Sequence, residues 1–377
     1  MDLKGLKYLV VGAGLFGSTI AERIANDLNE KVLVIDKRDV VGGNCYCQCD
    51  TATGILYHTY GTHVFHTSNK NTWDYINKFS LFNNFQLQVL TRHIGKLYQM
   101  PINLHTINSF YSKSFRPYEA EKFLSTQIKK IDNPSNLEEK AISLIGEDLY
   151  KAFIKGYTKK QWRKNPNKLP ASIITRLPFR FNYDNRYFND MWQGVPVNGY
   201  NIMFDEMLKS ENITVITGID FFDDAVQNDI PEDCKIIYSG PIDRYFDYKL
   251  GRLEWRSLRF ERKVFELDDY QGVAIVNYAD EETQHTRIHE PKHLHPEFPY
   301  IKGRTVLFKE FPDDNDNEPY YPINDDNNTS LVLSYRKLIK ENNTIFGGRL
   351  GEYKYFDMDE TIERALSTYE HEIKERK

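Results

Sequence analysis

Apolar positions fall into blocks of different period along the chain. Tyr8-Leu9-Val10-Val11 and Val32-Leu33-Val34-Ile35 are unbroken apolar runs of strand length, separated by Gly12 and by a stretch of helical spacing that opens at Leu15. That succession predicts strand, glycine turn, helix, strand, the βαβ unit of a parallel sheet. Phe85, Leu87 and Val89 alternate, and Gly95-Lys96 supplies a turn before Leu97, so a hairpin is predicted over 85–100. Over 117–162 the spacing turns helical: Ala120, Phe123, Leu124 and Ile128 share a face, followed by Leu144, Ile145, Leu149, Phe153 and Ile154. A further helix is predicted over 200–208, then short buried strands at 213–216 and 236–238. The segments 264–267, 273–276 and 306–308 suit an antiparallel sheet, and Ile362, Ala365, Leu366, Tyr369 and Ile373 give a terminal helix one buried face.

At 377 residues the chain exceeds what a single core usually serves, so two or three packed units are expected. A formal net charge of −5 argues against a nucleic-acid surface, which needs a positive field. The 25 Tyr and 23 Phe are an excess suited to bases and sugars, although core packing accounts for most of them. With no apolar run of about 18 residues and no signal-peptide pattern, no membrane partner and a cytoplasmic location are expected. Cys45, Cys47 and Cys49 alternate, which on a strand would put three thiols on one face, and Cys234 stands apart. This is not zinc-site spacing, so reduced thiols and no metal are expected.

Gly12, Gly14 and Gly17 form a GxGxxG sequence between the first strand and the first helix. In that context the glycines permit a tight turn, close approach of backbone amides to a pyrophosphate, and tight helix–strand packing. The helix N-terminus then faces the phosphates. Asp36, at the end of the second strand, is placed to accept hydrogen bonds from an adenosine ribose. Two further glycine pairs, in Val41-Gly42-Gly43-Asn44 and Phe346-Gly347-Gly348-Arg349, lie at opposite ends of the chain and favour FAD over NAD.

The sequence resembles the UDP-galactopyranose mutase family over nearly its whole length. The resemblance is carried by 12–17, Gly42-Gly43-Asn44, Tyr60-Gly61-Thr62-His63-Val64-Phe65-His66-Thr67, Gly156-Tyr157-Thr158-Lys159-Lys160-Gln161-Trp162, Glu318-Pro319-Tyr320-Tyr321-Pro322 and 346–357. It implies an α/β fold in which a discontinuous Rossmann-like FAD-binding domain (1–80, 197–247 and 314–377) is interrupted twice. A helical domain with a mobile substrate loop would span 101–178, and an antiparallel β-sheet domain 81–100, 179–196 and 248–313. The implied activity interconverts UDP-galactopyranose and UDP-galactofuranose: N5 of reduced FAD attacks the anomeric carbon and UDP departs, without net oxidation. An external reductant such as NAD(P)H and a homodimer are implied with it. The rival readings are a UDP-N-acetylgalactopyranose or dual-specificity mutase and, from another class, an FAD-dependent oxidoreductase, which has no need of Trp162, Arg176 and Arg287.

Matched residue by residue, the resemblance assigns Arg176 and Arg287 to the departing diphosphate, where a planar guanidinium fork serves better than an ammonium. Tyr157 matches a base-stacking tyrosine, Trp162 the mobile-loop tryptophan, and Phe153 the same pocket. Tyr187, Tyr321 and Tyr355 match tyrosines that reach diphosphate oxygens. Arg349 and Asp357 match residues near the flavin and sugar, Gly43 and Asn44 the second cofactor loop, and His63 and His66 a histidine loop beside the flavin ring. Arg163, Thr62 and Ile288-His289-Glu290-Pro291 depart from the commoner family pattern, which bears on loop closure after Trp162 and on the sugar accepted.

Overall fold

The two apolar runs at 8–11 and 32–35 pair in parallel at the centre of a five-stranded sheet. In the computed structural model, which describes residues 3–176, 178–314, 318–339 and 343–375 and omits the side chains of Thr175 and Arg176, β1 (Tyr8–Val11) lies beside β2 (Val32–Asp36). The full order is Thr344–Phe346, Lys235–Tyr238, β1, β2, Ile213–Thr217, with every pair parallel. Parallel sheets need cover on both faces, which is why these strands are apolar throughout rather than alternating. On one face α1 (Leu15–Asp27) packs Ile20 and Ile24 with Phe204 of the Tyr200–Met207 helix and with Ile362 and Tyr369 of the terminal helix. On the other, Leu9, Leu33 and Ile35 meet Phe221 and Tyr238.

A second sheet of seven strands runs Tyr321–Pro322, Trp255–Phe265, Thr305–Asp313, Arg287–His289, Ile275–Tyr278, Val89–His93, Lys96–Met100. It is antiparallel except where Ile275–Tyr278 runs parallel to Val89–His93. Helices Leu104–Tyr111, Pro117–Gln127, Leu137–Leu149 and Gly156–Trp162 form one apolar cluster with this sheet through Val89, Met100, Leu149 and Ile275. A π turn at Tyr150–Lys155 shifts the helical phase just before Gly156. Gly156 itself allows close approach to the sheet, because a Cβ there would lie 2.2 Å from the Ala279 carbonyl oxygen. Lys160 tightens the same contact by donating to the carbonyls of Tyr278, Asp280 and His285 at 2.7, 2.8 and 3.1 Å, and burial pulls its pKa down to about 8.

Two local expectations differ from the structure. The hairpin begins at Val89, and its turn is Ile94-Gly95, both at positive φ, rather than Gly95-Lys96. The reversal suits the right-handed twist of the flanking strands despite the β-branched Ile94. The three alternating cysteines do not share a strand face: Gly42 and Gly43 take positive φ and wind 43–45 into a 3₁₀ turn, so the strand is only Cys47–Cys49. Cys45 and Cys47 are buried, Cys49 is exposed, and all three are free thiols. No described helix is long and apolar enough to cross a membrane.

Candidate active site

A long cavity runs along the C-terminal edge of the parallel sheet, where ligands of open α/β sheets collect. Gly12, Gly14, Leu15 and Phe16 form one wall, Gly42, Gly43 and Asn44 a second, and Ser239, Gly348 and Arg349 a third. The glycines act by shape. A Cβ on Gly12, which sits at φ 106, would lie 2.1 Å from Ser239 Oγ, and one on Gly17 would lie 1.9 Å from the Gly12 carbonyl. Gly14 and Gly43 face each other across the cleft, with the position of a Gly43 Cβ 3.1 Å from the Gly14 Cα. No side chain therefore stands between the helix N-terminus and a bound anion, and the residues fit a dinucleotide pyrophosphate.

Asp36 lines this cavity, and its carboxylate accepts from the Ala13 amide at 2.8 Å and the Arg38 amide at 2.9 Å. Each oxygen keeps a lone pair for a ribose hydroxyl. Beyond Asp36, Phe222 lies 4.8 Å beneath the Arg244 guanidinium, and Arg244 is paired to Asp220 at 2.6 Å. That end is flat and aromatic. At the other end stand His63, Pro319 and Arg349. His63 Nδ1 donates to the Gly61 carbonyl at 2.7 Å, which leaves Nε2 as its acceptor, and burial pulls its pKa down to about 4. Arg349 is fixed by donating to the Tyr320 and Phe356 carbonyls at 3.0 and 2.6 Å.

Against that end lies a second cluster built on the seven-stranded sheet. Tyr321 and Tyr355 stack with centroids 5.8 Å apart, and the Arg349 guanidinium sits 4.7 Å from the Tyr355 ring and 5.7 Å from the Tyr321 ring. Arg287 lies 5.6 Å from the Tyr157 ring centre with 27 % of its side chain accessible, so a ligand can reach it from solvent. Burial works against the charge on Arg287, and the Glu310 carboxylate offsets it, with Tyr157, Tyr187 and Tyr321 close by. The buried Tyr157 hydroxyl and Arg287 Nε have no hydrogen-bond partner within the described protein. Buried polar atoms of this kind are satisfied by something else, and a ligand's oxygens would serve.

These two neighbouring sites give the comparisons with known proteins their meaning. A family model for a Rossmann-like NAD(P)-binding domain matches residues 10–79, and the family model for UDP-galactopyranose mutase matches residues 152–355. The chain is 41 % identical to a probable UDP-galactopyranose mutase of Klebsiella pneumoniae, covering 96 % of this chain and 93 % of that protein. It belongs to the UDP-galactopyranose mutase family. It is also 40 % identical to a dTDP-fucopyranose mutase of Escherichia coli, covering 98 % of this chain and 99 % of that protein. A crystal structure of reduced UDP-galactopyranose mutase superposes with a TM-score of 0.76 at 14 % identity, over 97 % of this chain and 93 % of the other. The family's α/β architecture, a Rossmann-like domain joined to an antiparallel-rich sheet and a helical insert, is the one described here.

Within that frame the structure gathers Tyr157, Arg287, Tyr321, Tyr355, Arg349 and His63 into adjoining sites, and Tyr187 joins them as a charge neighbour of Arg287. Trp162 ends its helix half-buried, with its carbonyl held by Arg256 Nε at 2.9 Å. Other expected residues are placed elsewhere. Phe153 is 3 % exposed and packs edge-on to Tyr98, Phe110 and His93 within the π turn. His66 does not line the cavity; its Nδ1 pairs with Asp190 at 2.8 Å and its ring stacks on Phe188 at 3.6 Å. Asp357 is the N-cap of the Met358–Thr368 helix, with its amide on Glu360, while its neighbours Met358 and Thr361 line the cavity. The Arg176 backbone closes the Ala171–Arg176 3₁₀ turn, and its side chain lies outside the described residues.

Sequence reasoning missed Glu310 and Arg38. Glu310 is 2 % exposed, stands opposite Arg287 in the strand register, and is held down to about 2, against its own burial, by Arg287 and His289. An acidic residue on the inward side of an apolar strand is the signal that could have revealed it. Arg38 reaches Asn44 at 3.1 Å and Glu318 at 2.5 Å beside the Tyr60 ring, tying three cofactor-side segments together.

Proposed function

We propose that this chain is a flavin-dependent mutase interconverting the pyranose and furanose forms of a nucleotide-linked hexose, with UDP-galactose as its first substrate. The observation that carries the reading is the junction itself: a cluster of tyrosines with Arg287 and Arg349 lies against the His63 and Arg349 end of a dinucleotide cavity. Reduced FAD, when bound, supplies a nucleophilic N5 beside the sugar. The protein's own share is electrostatic and positional. Arg287, and by the family resemblance Arg176, stabilise the negative charge that develops on the departing diphosphate, and a preformed guanidinium does so without reorganising. Tyr157 offers its ring to the pyrimidine, Trp162 covers it, and the hydroxyls of Tyr187, Tyr321 and Tyr355 bind phosphate oxygens without adding charge.

His63 lines the cavity with Nδ1 committed to the Gly61 carbonyl, and its neutral ring shapes the pocket. FAD as the dinucleotide is supported by the two glycine pairs, which reach the cavity through Gly42, Gly43 and Gly348. An external reductant such as NAD(P)H, a homodimer, and the division into a cofactor domain, a helical domain and an antiparallel sheet domain belong to the same proposal. Nearly equal identity to the dTDP-fucopyranose mutase supports a second reading, in which the base carries a methyl group and the sugar lacks its 6-hydroxyl. The test is anaerobic turnover of dithionite-reduced, FAD-loaded protein on the furanose forms of UDP-galactose, UDP-N-acetylgalactosamine and dTDP-fucose, with products separated by chromatography. Conversion of UDP-galactofuranose to the pyranose supports the first reading, preferential conversion of the dTDP-sugar the second, and stoichiometric substrate oxidation refutes both.

A further inference from the structure

Two departures from the family pattern, Thr62 and His289, are 227 positions apart in sequence and meet in the structure: Thr62 Oγ1 lies 2.8 Å from His289 Nδ1. His289 Nε2 lies 3.0 Å from Glu310 Oε2. The same oxygen is 3.8 Å from Arg287 Nη1, and Thr286 Oγ1 anchors the other carboxylate oxygen at 3.0 Å. Glu310 is buried and ionised, so it can only accept, and the proton on His289 Nε2 points to it. Nδ1 keeps its bond to Thr62 in either protonation state of the ring, because a hydroxyl can donate to it or accept from it. Arg287 and His289 share a face of the strand Arg287–His289, two residues apart. Thr62 sits between Gly61, whose carbonyl fixes the His63 ring, and His63 itself, which lines the cofactor cavity.

We infer that Thr62, His289 and Glu310 form a positioning relay that sets Arg287 for the substrate diphosphate and ties it to the loop carrying His63. The inference rests on the reading that Arg287 holds the diphosphate. No member of the relay need touch the substrate. His289 locks the Glu310 carboxylate in one rotamer, Thr62 locks His289, and Glu310 Oε2 restrains the guanidinium from one side while leaving Nε free for a ligand. A charged group held by partners that are themselves held loses less freedom when it binds. The relay joins an arginine on one strand to a loop of the other cluster, so a change at either end is felt at the other.

The experiment is UDP titration into oxidised, FAD-loaded protein, followed by calorimetry, with thermal melting of each variant as a check on folding. Thr62→Val removes the hydroxyl at a partly exposed position and is expected to weaken UDP binding about 5-fold, with Thr62→Ser restoring wild-type affinity. Glu310→Gln is expected to weaken it about 10-fold, and the double variant Thr62→Val/Glu310→Gln no further than Glu310→Gln alone, because both cut one chain. Wild-type affinity in Thr62→Val, failure of Thr62→Ser to restore it, or effects that multiply in the double variant would overturn the relay. Arg287→Ala separates the two levels. If it leaves UDP affinity unchanged, the diphosphate reading fails first; if it weakens binding while Thr62→Val does not, only the relay fails.

Discussion

The dinucleotide cavity and the arginine–tyrosine cluster meet at one end but are built by opposite means. The cavity is made by removing side chains: Gly12, Gly14, Gly43 and Gly348 clear space so that backbone and a helix terminus do the binding. The cluster is made by adding them, with Arg287, Tyr157, Tyr321 and Tyr355 drawn from different elements and Arg287 facing the buried Glu310. A site made of backbone fails through steric intrusion, and all at once. A site made of side chains loses function in steps, each set by one group.

The sharpest way to break the first is Gly17→Val. Its Cβ would fall 1.9 Å from the Gly12 carbonyl, so the turn must open, and we expect protein without flavin or without a native fold, read from the ratio of 450 to 280 nm absorbance. Normal flavin content would contradict the backbone account. Next comes Arg287→Ala, which should retain flavin while lowering kcat by about 100-fold or more, the scale of losing one preorganised electrostatic contact in a transition state. Turnover within a few-fold of wild type would remove Arg287 from the reaction. Tyr157→Phe is gentler. Its hydroxyl has no partner within the described protein, so the melting temperature should hold while KM rises by a factor of about 10 or less. A marked loss of thermal stability would show that the hydroxyl serves the fold.

The smallest effect is a pH slope. Burial lowers the His63 pKa to about 4, and burial likewise lowers His58 and His295, which sit 3.2 Å apart behind it. These rings are neutral in the folded protein, and the unfolded chain binds more protons between their folded pKa values and about 6.5. Their contribution to stability is therefore full above about pH 6.5 and falls as the pH drops from there toward 4. Stability measured by urea unfolding across that window should have a shallower slope in His63→Gln than in the parent. An unchanged slope would locate the protonation elsewhere.

The same contrast explains what could be read from sequence. The cavity's determinants are contiguous and local: a strand, GxGxxG, a helix and an acidic strand end occupy 8–36, and their spacing is their geometry. The cluster's determinants are dispersed. Arg287 and Glu310 face each other only because two strands pair in one register, which no spacing along the chain announces. Family resemblance suggests ligand roles for Tyr157, Arg287 and Phe153 alike, but no spacing announces the π turn in which Phe153 packs among other rings. Thr62 and His289 were noticed as departures, but their hydrogen bond is tertiary and visible only in the fold.

The most direct test of the central claim is a crystal structure of the FAD-loaded protein with UDP bound. The account predicts the cofactor pyrophosphate at Gly12 and Gly14, its ring system beside His63 and Arg349, the pyrimidine against Tyr157, and the UDP diphosphate within hydrogen-bond distance of Arg287. UDP bound away from Arg287, or FAD running through the cavity in the opposite sense, would contradict it.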